Sequence, residues 1–406
     1  LSALLPVEEA RARILAGLNP LPAETVRLAD ALGRTLSKPL AARRTQPPWD
    51  CSAMDGYAVR AADASAPGAT LRVIGEAAAG RGYAGRLGPG EAARIFTGAP
   101  VPEGADAILM QEDASREGDA VTFSEAAIAG RHIRRAGLDF SAGEVLLEAG
   151  RRLGARDLAL AAALGHGAVE ASRKPRVAIL ATGDELVAAG ELPGPDQIVA
   201  SNAFAIAGVV TAEGGEPIDL GIAPDDHGAI VRAIERAIAA RADVLVTLGG
   251  ASVGDHDLIQ PALKEAGVEL DFWRIAMRPG KPMMAGRRGP MLALGLPGNP
   301  VSSIVCALLF LAPALRKLSG RAHVEPALMA AKLGRDMSAN DHRDDYMRAA
   351  LTYDSQGVAV ATAFGRQDSS VLRTLTHAEC LLVRPAHARP AKAGEPCKIL
   401  GLPHPL

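Results

Sequence analysis

Cysteine is scarce in this chain, with four among 406 residues, at Cys51, Cys306, Cys380 and Cys397. They are too few and too scattered for a disulfide framework. None forms a C-x-x-C pair, which argues against a zinc ribbon or a thioredoxin-type site. No His/Cys set has metal-ligand spacing, so no structural zinc is expected. An excess of one charge is lacking too: 44 Lys and Arg stand against 46 Asp and Glu, a net charge of −2. There is thus no basic footprint for a nucleic-acid backbone. The longest apolar run, residues 301–315, is interrupted by Ser302, Ser303 and Pro313. It falls short of the roughly 18 residues that a membrane span requires. The N-terminal residues run into Pro6, Glu8 and Glu9 without a basic segment or a small-residue cleavage site. Glycine (43) and proline (28) together stay below the roughly 25–30% of low-complexity chains. What is present, 48% hydrophobic and 22% charged residues, can fill several cores. The expectation is a reduced, cytoplasmic protein of roughly 2.7 domains on length alone, with neither nucleic acid nor membrane as a partner.

The hydrophobic pattern divides the chain into four stretches. Val7, Ala10, Ile14 and Leu15 recur at helical spacing behind Glu8 and Glu9. Residues 24–32 read as a second short helix, closed by Gly33. From the Thr45-Gln46-Pro47-Pro48-Trp49-Asp50 string to about Gly143, short β-like runs at 71–74, 107–110 and 120–123 alternate with glycine- and proline-rich turns. The helical pattern returns at 155–164, which suggests a β module inserted into an element built from both flanks. From Pro175, apolar runs at 177–180, 218–220, 244–248, 268–275 and 291–296 alternate with helical patterns at 201–213, 226–240, 255–266 and 301–318. That alternation specifies βαβ units and a parallel sheet covered on both faces. After Gly320, short β runs at 349–351, 358–360, 380–383 and 397–400 predict a small β barrel.

In an open parallel sheet, ligands sit at the carboxyl ends of the strands. Three strand ends here carry suitable chemistry. The first is Thr182-Gly183-Asp184-Glu185-Leu186. The second is Gly249-Gly250-Ala251-Ser252-Val253-Gly254-Asp255-His256-Asp257, and the third is Leu296-Pro297-Gly298-Asn299-Pro300-Val301-Ser302. Glycines let a backbone approach a ligand, and a helix start offers free N–H groups suited to an anion such as phosphate. The spacing is neither a P-loop nor a dinucleotide fingerprint. Asp255 reads equally well as a helix cap. The Pro-Gly-Asn-Pro turn could be a plain junction. Arg274, Arg278 and Lys281 put three cations in eight residues, either as a surface cluster or as a pocket for an oxyanion. A pocket that also holds Glu185, Asp225, Asp226 and Asp257 needs a divalent cation, and carboxylates sharing substrate phosphates with Mg²⁺ are the usual arrangement. From these residues alone, the chain reads as a phosphate-handling α/β enzyme.

Two further strings join these three: Ser52-Ala53-Met54-Asp55-Gly56-Tyr57-Ala58-Val59-Arg60 and Thr97-Gly98-Ala99-Pro100-Val101-Pro102. With Pro279-Gly280-Lys281-Pro282 they make six ordered motifs. Together these resemble the molybdopterin molybdenumtransferases, the family that includes the gephyrin E domain, from about Pro6 to the C-terminus. The resemblance implies a multidomain α/β plus β fold. Its parts are a helical linking domain (1–44 and 141–174), an inserted small β domain (45–140), a molybdopterin-binding α/β domain with a mostly parallel sheet (175–322) and a C-terminal β barrel (323–406). It also implies a homodimer whose site is shared between the α/β domain of one subunit and the β module of the other.

The activity implied is insertion of molybdenum from molybdate into adenylylated molybdopterin, with Mg²⁺-dependent release of AMP. By the resemblance, residues 249–254, with Gly249, Gly250, Ser252 and Gly254, hold the pterin phosphate or adenylate. Thr182, Gly183, Gly298, Asn299 and Ser302 border the same substrate. Asp225 and Asp257 hold Mg²⁺. Glu185 and Asp55, the latter with Thr97 in the β module, position or activate the attacking oxygen. Asp139 matches a further family acid. Arg274, Arg278 and Lys281 attract molybdate, and Pro297 and Pro300 shape the pocket wall. The family often has Lys where Arg274 and Arg278 stand. Arg366-Gln367-Asp368-Ser369-Ser370 replaces a usual Gly-Ser, so Ser369 or Ser370, and Arg343 or Arg348, are candidates only by a looser match. The rival readings are a molybdopterin adenylyltransferase, which has the α/β domain alone and is the implied pathway partner, and a non-catalytic gephyrin-like scaffold.

Overall fold

A computed structural model describes residues 4–250 and 258–402. Its central layer is a six-stranded sheet in the order Glu216–Ala223, Arg176–Thr182, Val244–Leu248, Met291–Leu296, Pro282–Arg288, Glu269–Arg274. The first four strands run parallel, and the last two join antiparallel to their neighbours. Alternation along each strand sorts side chains to the two faces. Val177, Ile179, Val244 and Val246 meet the helices Asn202–Ala212 and Pro300–Leu318 on one face. Ala178, Leu180 and Leu245 meet His227–Ala239 and Ile259–Glu265 on the other. The helix Pro300–Leu318 is apolar and longer than the 301–315 run suggests, with 78% of its most apolar window buried inside the fold. It is a core helix whose Phe310, Leu311 and Leu315 are fully covered. Each such side chain contributes about 1.5–3 kcal/mol by leaving water.

Pro282–Arg288 is absent from the sequence reading, because its glycine and its cations conceal a strand that pairs along its length with Met291–Leu296. The helix Val7–Ala16 buries Val7, Ala10 and Ile14 in the α/β core rather than in the linking unit. Residues 24–32 are not the expected helix. They form the strand Ala23–Arg27 and a 3-10 turn Leu28–Asp30. Thr25 and Val26 are β-branched, and Ala168–Ser172 supplies an antiparallel partner across the whole strand, so sheet pairing overrides a weak helical pattern.

The linking unit has its own core of Val26, Leu36, Leu40, Phe140, Leu147, Leu153 and Leu164, drawn from both sides of the inserted module. That module is a six-stranded sheet in the order Ala107–Met110, Gly56–Val59, Glu91–Ile95, Thr70–Ala77, Ala120–Phe123, Ala114–Glu117. In the C-terminal region Asp344–Tyr353, Ala359–Ala363, Leu328–Leu333, Pro396–Gly401 and Cys380–Arg384 close into a five-stranded barrel, since the first and last strands also pair. A sixth short strand, Met277–Arg278, comes from the α/β segment and runs parallel beside Asp344 and Asp345.

Candidate functional site

The carboxyl ends of the parallel strands open into a cavity of about 600 Å³. Thr182 ends its strand buried, its hydroxyl donating to the Leu248 carbonyl at 3.5 Å. Gly183 follows, and the Glu185 carboxylate folds back over it where a Cβ would collide. Gly249 has φ +99°, and a Cβ there would stand 2.8 Å from the Thr182 carbonyl oxygen. Only glycine lets these two strand ends meet so closely. Gly250 completes this wall.

The opposite wall is Pro297, Gly298, Asn299 and Pro300. Asn299 occupies the cap position and Pro300 the first turn of the helix, where its missing N–H costs nothing. Ser302 is buried just behind the wall and does not line the cavity. Asp225 lines the rim, its N–H held by the Asp184 carboxylate at 3.0 Å. Asp226, expected among the pocket acids, instead caps His227–Ala239 by accepting from the Ala229 N–H at 2.7 Å. That cap contributes about 1 kcal/mol to the helix. Ser252, Gly254 and Asp257 lie outside the described residues.

The cavity also has walls that sequence reasoning did not assign. Ser201 and Asn202 line it at the start of Asn202–Ala212, and the Asn202 amide donates to the Gly298 carbonyl at 2.6 Å. Leu186 with Ile198 and Val199 forms an apolar edge, carried by the parallel strands Leu186–Val187 and Ile198–Val199. An Asn one residue into a helix was the available signal for Asn202; the apolar edge had none. The barrel reaches in as well. Ser370 lines the cavity, and Ser369 accepts from the Asn299 amide at 3.0 Å. Arg348, buried to 1% exposure, donates to the Asp368 carbonyl at 3.1 Å and so holds this loop from behind. The Ser370 N–H and hydroxyl keep the Asp368 carboxyl below its ordinary range.

The three cations separate. Arg278 turns to the barrel, 2.8 Å from Asp345 and 3.4 Å from Asp341, so its charge is already matched. Arg274 stacks on Trp273, 4.6 Å from the ring centre. Lys281 is exposed next to Pro282, a cavity-lining residue. Among the described residues neither Arg274 nor Lys281 pairs with a carboxylate.

Asp341 is drawn down to about 2, chiefly by the Arg343 guanidinium and further by Arg278. A depressed carboxyl supports the fold above its unfolded value, and that support fades as pH falls through the folded one. The Arg343 and Arg278 contacts should therefore persist at pH 4 and loosen only near pH 2. A carboxyl-carbon titration of Asp341 with a midpoint near 4 would show that the barrel loop is not held this way.

Asp55 and Thr97 sit in the β module and do not line the cavity. They are paired with each other: Asp55 accepts from the Thr97 N–H at 2.7 Å and from its hydroxyl at 2.8 Å. These two bonds hold the Asp55 carboxyl below its ordinary value. Asp139 is exposed, its backbone N–H bonded to the Gln46 carbonyl at 3.0 Å.

Among the described residues no group of three or more His, Cys, Asp or Glu forms a metal cage. Glu185 and Asp225 nonetheless face one cavity. Mg²⁺ is commonly held by one or two carboxylates, water and substrate phosphates, and Asp225 at this cavity is a donor of that kind.

Residues 5–165 match the family described as MoeA N-terminal region (domain I and II). Residues 178–317 match a probable molybdopterin binding domain, and residues 330–402 the MoeA C-terminal region (domain IV). A molybdopterin molybdenumtransferase of a Nostoc species is 37% identical over 388 residues, 94% of this chain and 89% of that protein. The one from Haemophilus influenzae is 34% identical over 99% of this chain and all of its own length. The crystal structure of a molybdopterin biosynthesis MoeA protein from Pyrococcus horikoshii superposes with a TM-score of 0.83 at 30% identity, covering 98% of this chain and 100% of that one.

Proposed function

The chain belongs to the molybdopterin molybdenumtransferase family, and from that membership we propose that it is a transferase of molybdenum cofactor biosynthesis that takes adenylylated molybdopterin and molybdate and releases AMP. The observation that carries this reading is the convergence of Thr182, Gly183, Gly249, Gly250 and the Pro297-Gly298-Asn299-Pro300 turn around one cavity with two carboxylates.

The division of labour follows from position. The Gly249 and Gly250 backbone admits a phosphate without side-chain interference. Asn202 locks the Gly298 carbonyl and keeps the opposite wall in place. Glu185, which lines the cavity, orients the water that adds across the phosphoanhydride and accepts its proton. Lys281 and Arg274 draw the molybdate dianion to the rim. Asp225, with Asp257, would hold Mg²⁺, which offsets phosphate charge and polarises the bridging oxygen. Asp55 and Thr97 form a second half-site. In this reading they reach the substrate of a partner subunit, so the working unit is a homodimer. A cytoplasmic location and supply of the nucleotide by a molybdopterin adenylyltransferase belong to the same reading.

The test is AMP release from adenylylated molybdopterin, with and without molybdate and Mg²⁺, for the full chain and for Asp257→Ala. The expected result is release that requires both ions and collapses in the variant. Intact protein that binds the nucleotide yet frees no AMP under any ion combination would overturn the reading.

A further inference from the structure

We infer that Arg94 is a positioning residue for Asp55: stacked on two aromatic rings and bonded to the carbonyl of Gly56 and the amide of Gln111, it fixes the loop that presents the Asp55 carboxylate and Thr97 to the reacting phosphate. The inference rests on the activity proposed above, since it gives Asp55 a task there.

The geometry runs outward from the module core. Tyr57 packs edge-on against Phe123, with ring centres 5.7 Å apart, and so stands on the buried side of the sheet. Arg94 is its cross-strand partner, and the guanidinium carbon lies 5.2 Å from the Tyr57 ring centre. It lies 4.7 Å from that of Phe96, two residues along the same strand face. A planar guanidinium beside two rings is attracted to their faces and has lost most of its freedom. Its N–H groups are then aimed. One donates to the Gly56 carbonyl at 3.1 Å and another to Gln111 Oε1 at 2.5 Å. Gln111 in turn donates its backbone N–H to the Asp55 carbonyl at 3.0 Å.

Asp55 and Gly56 are thus clasped from two sides by one side chain and its hydrogen-bonded neighbour. Phe96, under the guanidinium, leads directly into Thr97, whose N–H and hydroxyl hold the Asp55 carboxylate. Both members of the half-site hang from Arg94. The two Thr97 hydrogen bonds are the main cause of the downward shift of the Asp55 carboxyl, and the Arg94 charge adds a smaller contribution in the same direction. The titratable groups on the surrounding elements include Tyr57 on one adjoining strand and Glu76, opposite Arg94 on the other, whose carboxylate pairs with Arg81 at 3.3 Å. Glu91 on the same strand as Arg94 pairs with Arg72 at 2.7 Å, and the Glu112 carboxylate meets the Gln111 amide at 3.4 Å. A solvent-facing arginine bonded only to water would explain none of these directed contacts.

The test compares Arg94→Met and Arg94→Lys with the unmodified full-length protein. It reads the Asp55 carboxyl titration by carbon NMR, assigned with Asp55→Asn, and kcat and KM for AMP release across pH. Arg94→Met should raise the Asp55 midpoint toward its ordinary 3.8 and lower kcat about ten- to a hundredfold with KM nearly unchanged, the size expected for a misplaced group. Arg94→Lys keeps the charge without the planar fork, so it should recover neither the kcat nor the full downward shift of Asp55, which comes chiefly from the positioned Thr97 bonds. A folded Arg94→Met with unchanged titration and kcat overturns the proposal. Should Arg94→Met not fold, Gln111→Leu removes the far anchor, and a wild-type titration and rate in that variant overturn it equally. If the unmodified protein releases no AMP, the activity reading fails, while the titration arm still decides whether Arg94 governs Asp55.

Discussion

Glu185→Gln should slow AMP release by about 10²–10³-fold, the range for losing a positioned proton acceptor, while nucleotide binding stays within about threefold. The two side chains have the same shape, so the amide fills the same space over Gly183. What disappears is the negative charge and the ability to take a proton from water. Glu185 is exposed and, among the described residues, its side chain makes no hydrogen bond, so stability should change by less than about 0.5 kcal/mol. Calorimetric titration with the nucleotide and a single-turnover assay separate the two effects. A turnover rate within threefold of the parent would remove Glu185 from the chemistry and leave it as cavity wall.

Gly56→Ala is expected to be the most damaging single methyl in the β module. Gly56 starts the strand Gly56–Val59, hydrogen-bonded to Glu91–Ile95 on one side and Ala107–Met110 on the other. A Cβ there would overlap the Leu109 carbonyl oxygen and stand 3.0 Å from the Met110 Cα. Both are backbone atoms, so no rotamer relieves the clash and one strand must move. The cost is about 2–4 kcal/mol, and because the chain has several cores a single melting curve would blur it. Amide exchange reads it locally. Protection across Gly56–Val59 should fall by about 30- to 1,000-fold, with the strands of the α/β sheet unaffected. Unchanged protection there would mean that the strand spacing is wrong. Asp55, the preceding residue, should move with the strand, so the half-site is lost along with the local stability.

The α/β layer was legible because its central strands are buried on both faces. Runs such as Val244-Leu245-Val246 carry no polar interruption, and the helices between them supply the other period. The glycine- and proline-bearing strand ends were legible for the complementary reason, since residues that break regular structure at such ends have few other uses. Their convergence on one cavity follows from parallel connections. What was hidden depends on partners distant in sequence. Residues 24–27 become a strand only because Ala168–Ser172 lies alongside. Arg278 looked like one of three equal cations until Asp341 and Asp345, more than sixty residues later, claimed it. Asn202 acquires a role only through the Gly298 carbonyl.

The pairing of Met277 and Arg278 with Asp344 and Asp345 bears on how this protein can be recombined. A chimera that exchanges the C-terminal barrel with that of a relative would be cut in the loop near residue 322, where the chain crosses over. That cut leaves two ladder rungs of the foreign barrel to be completed by the host's segment 277–278. Arg278 must also find carboxylates at the positions of Asp341 and Asp345. Such exchanges should succeed when the short segment travels with the barrel and fail when it does not, which makes the inheritable unit discontinuous in sequence.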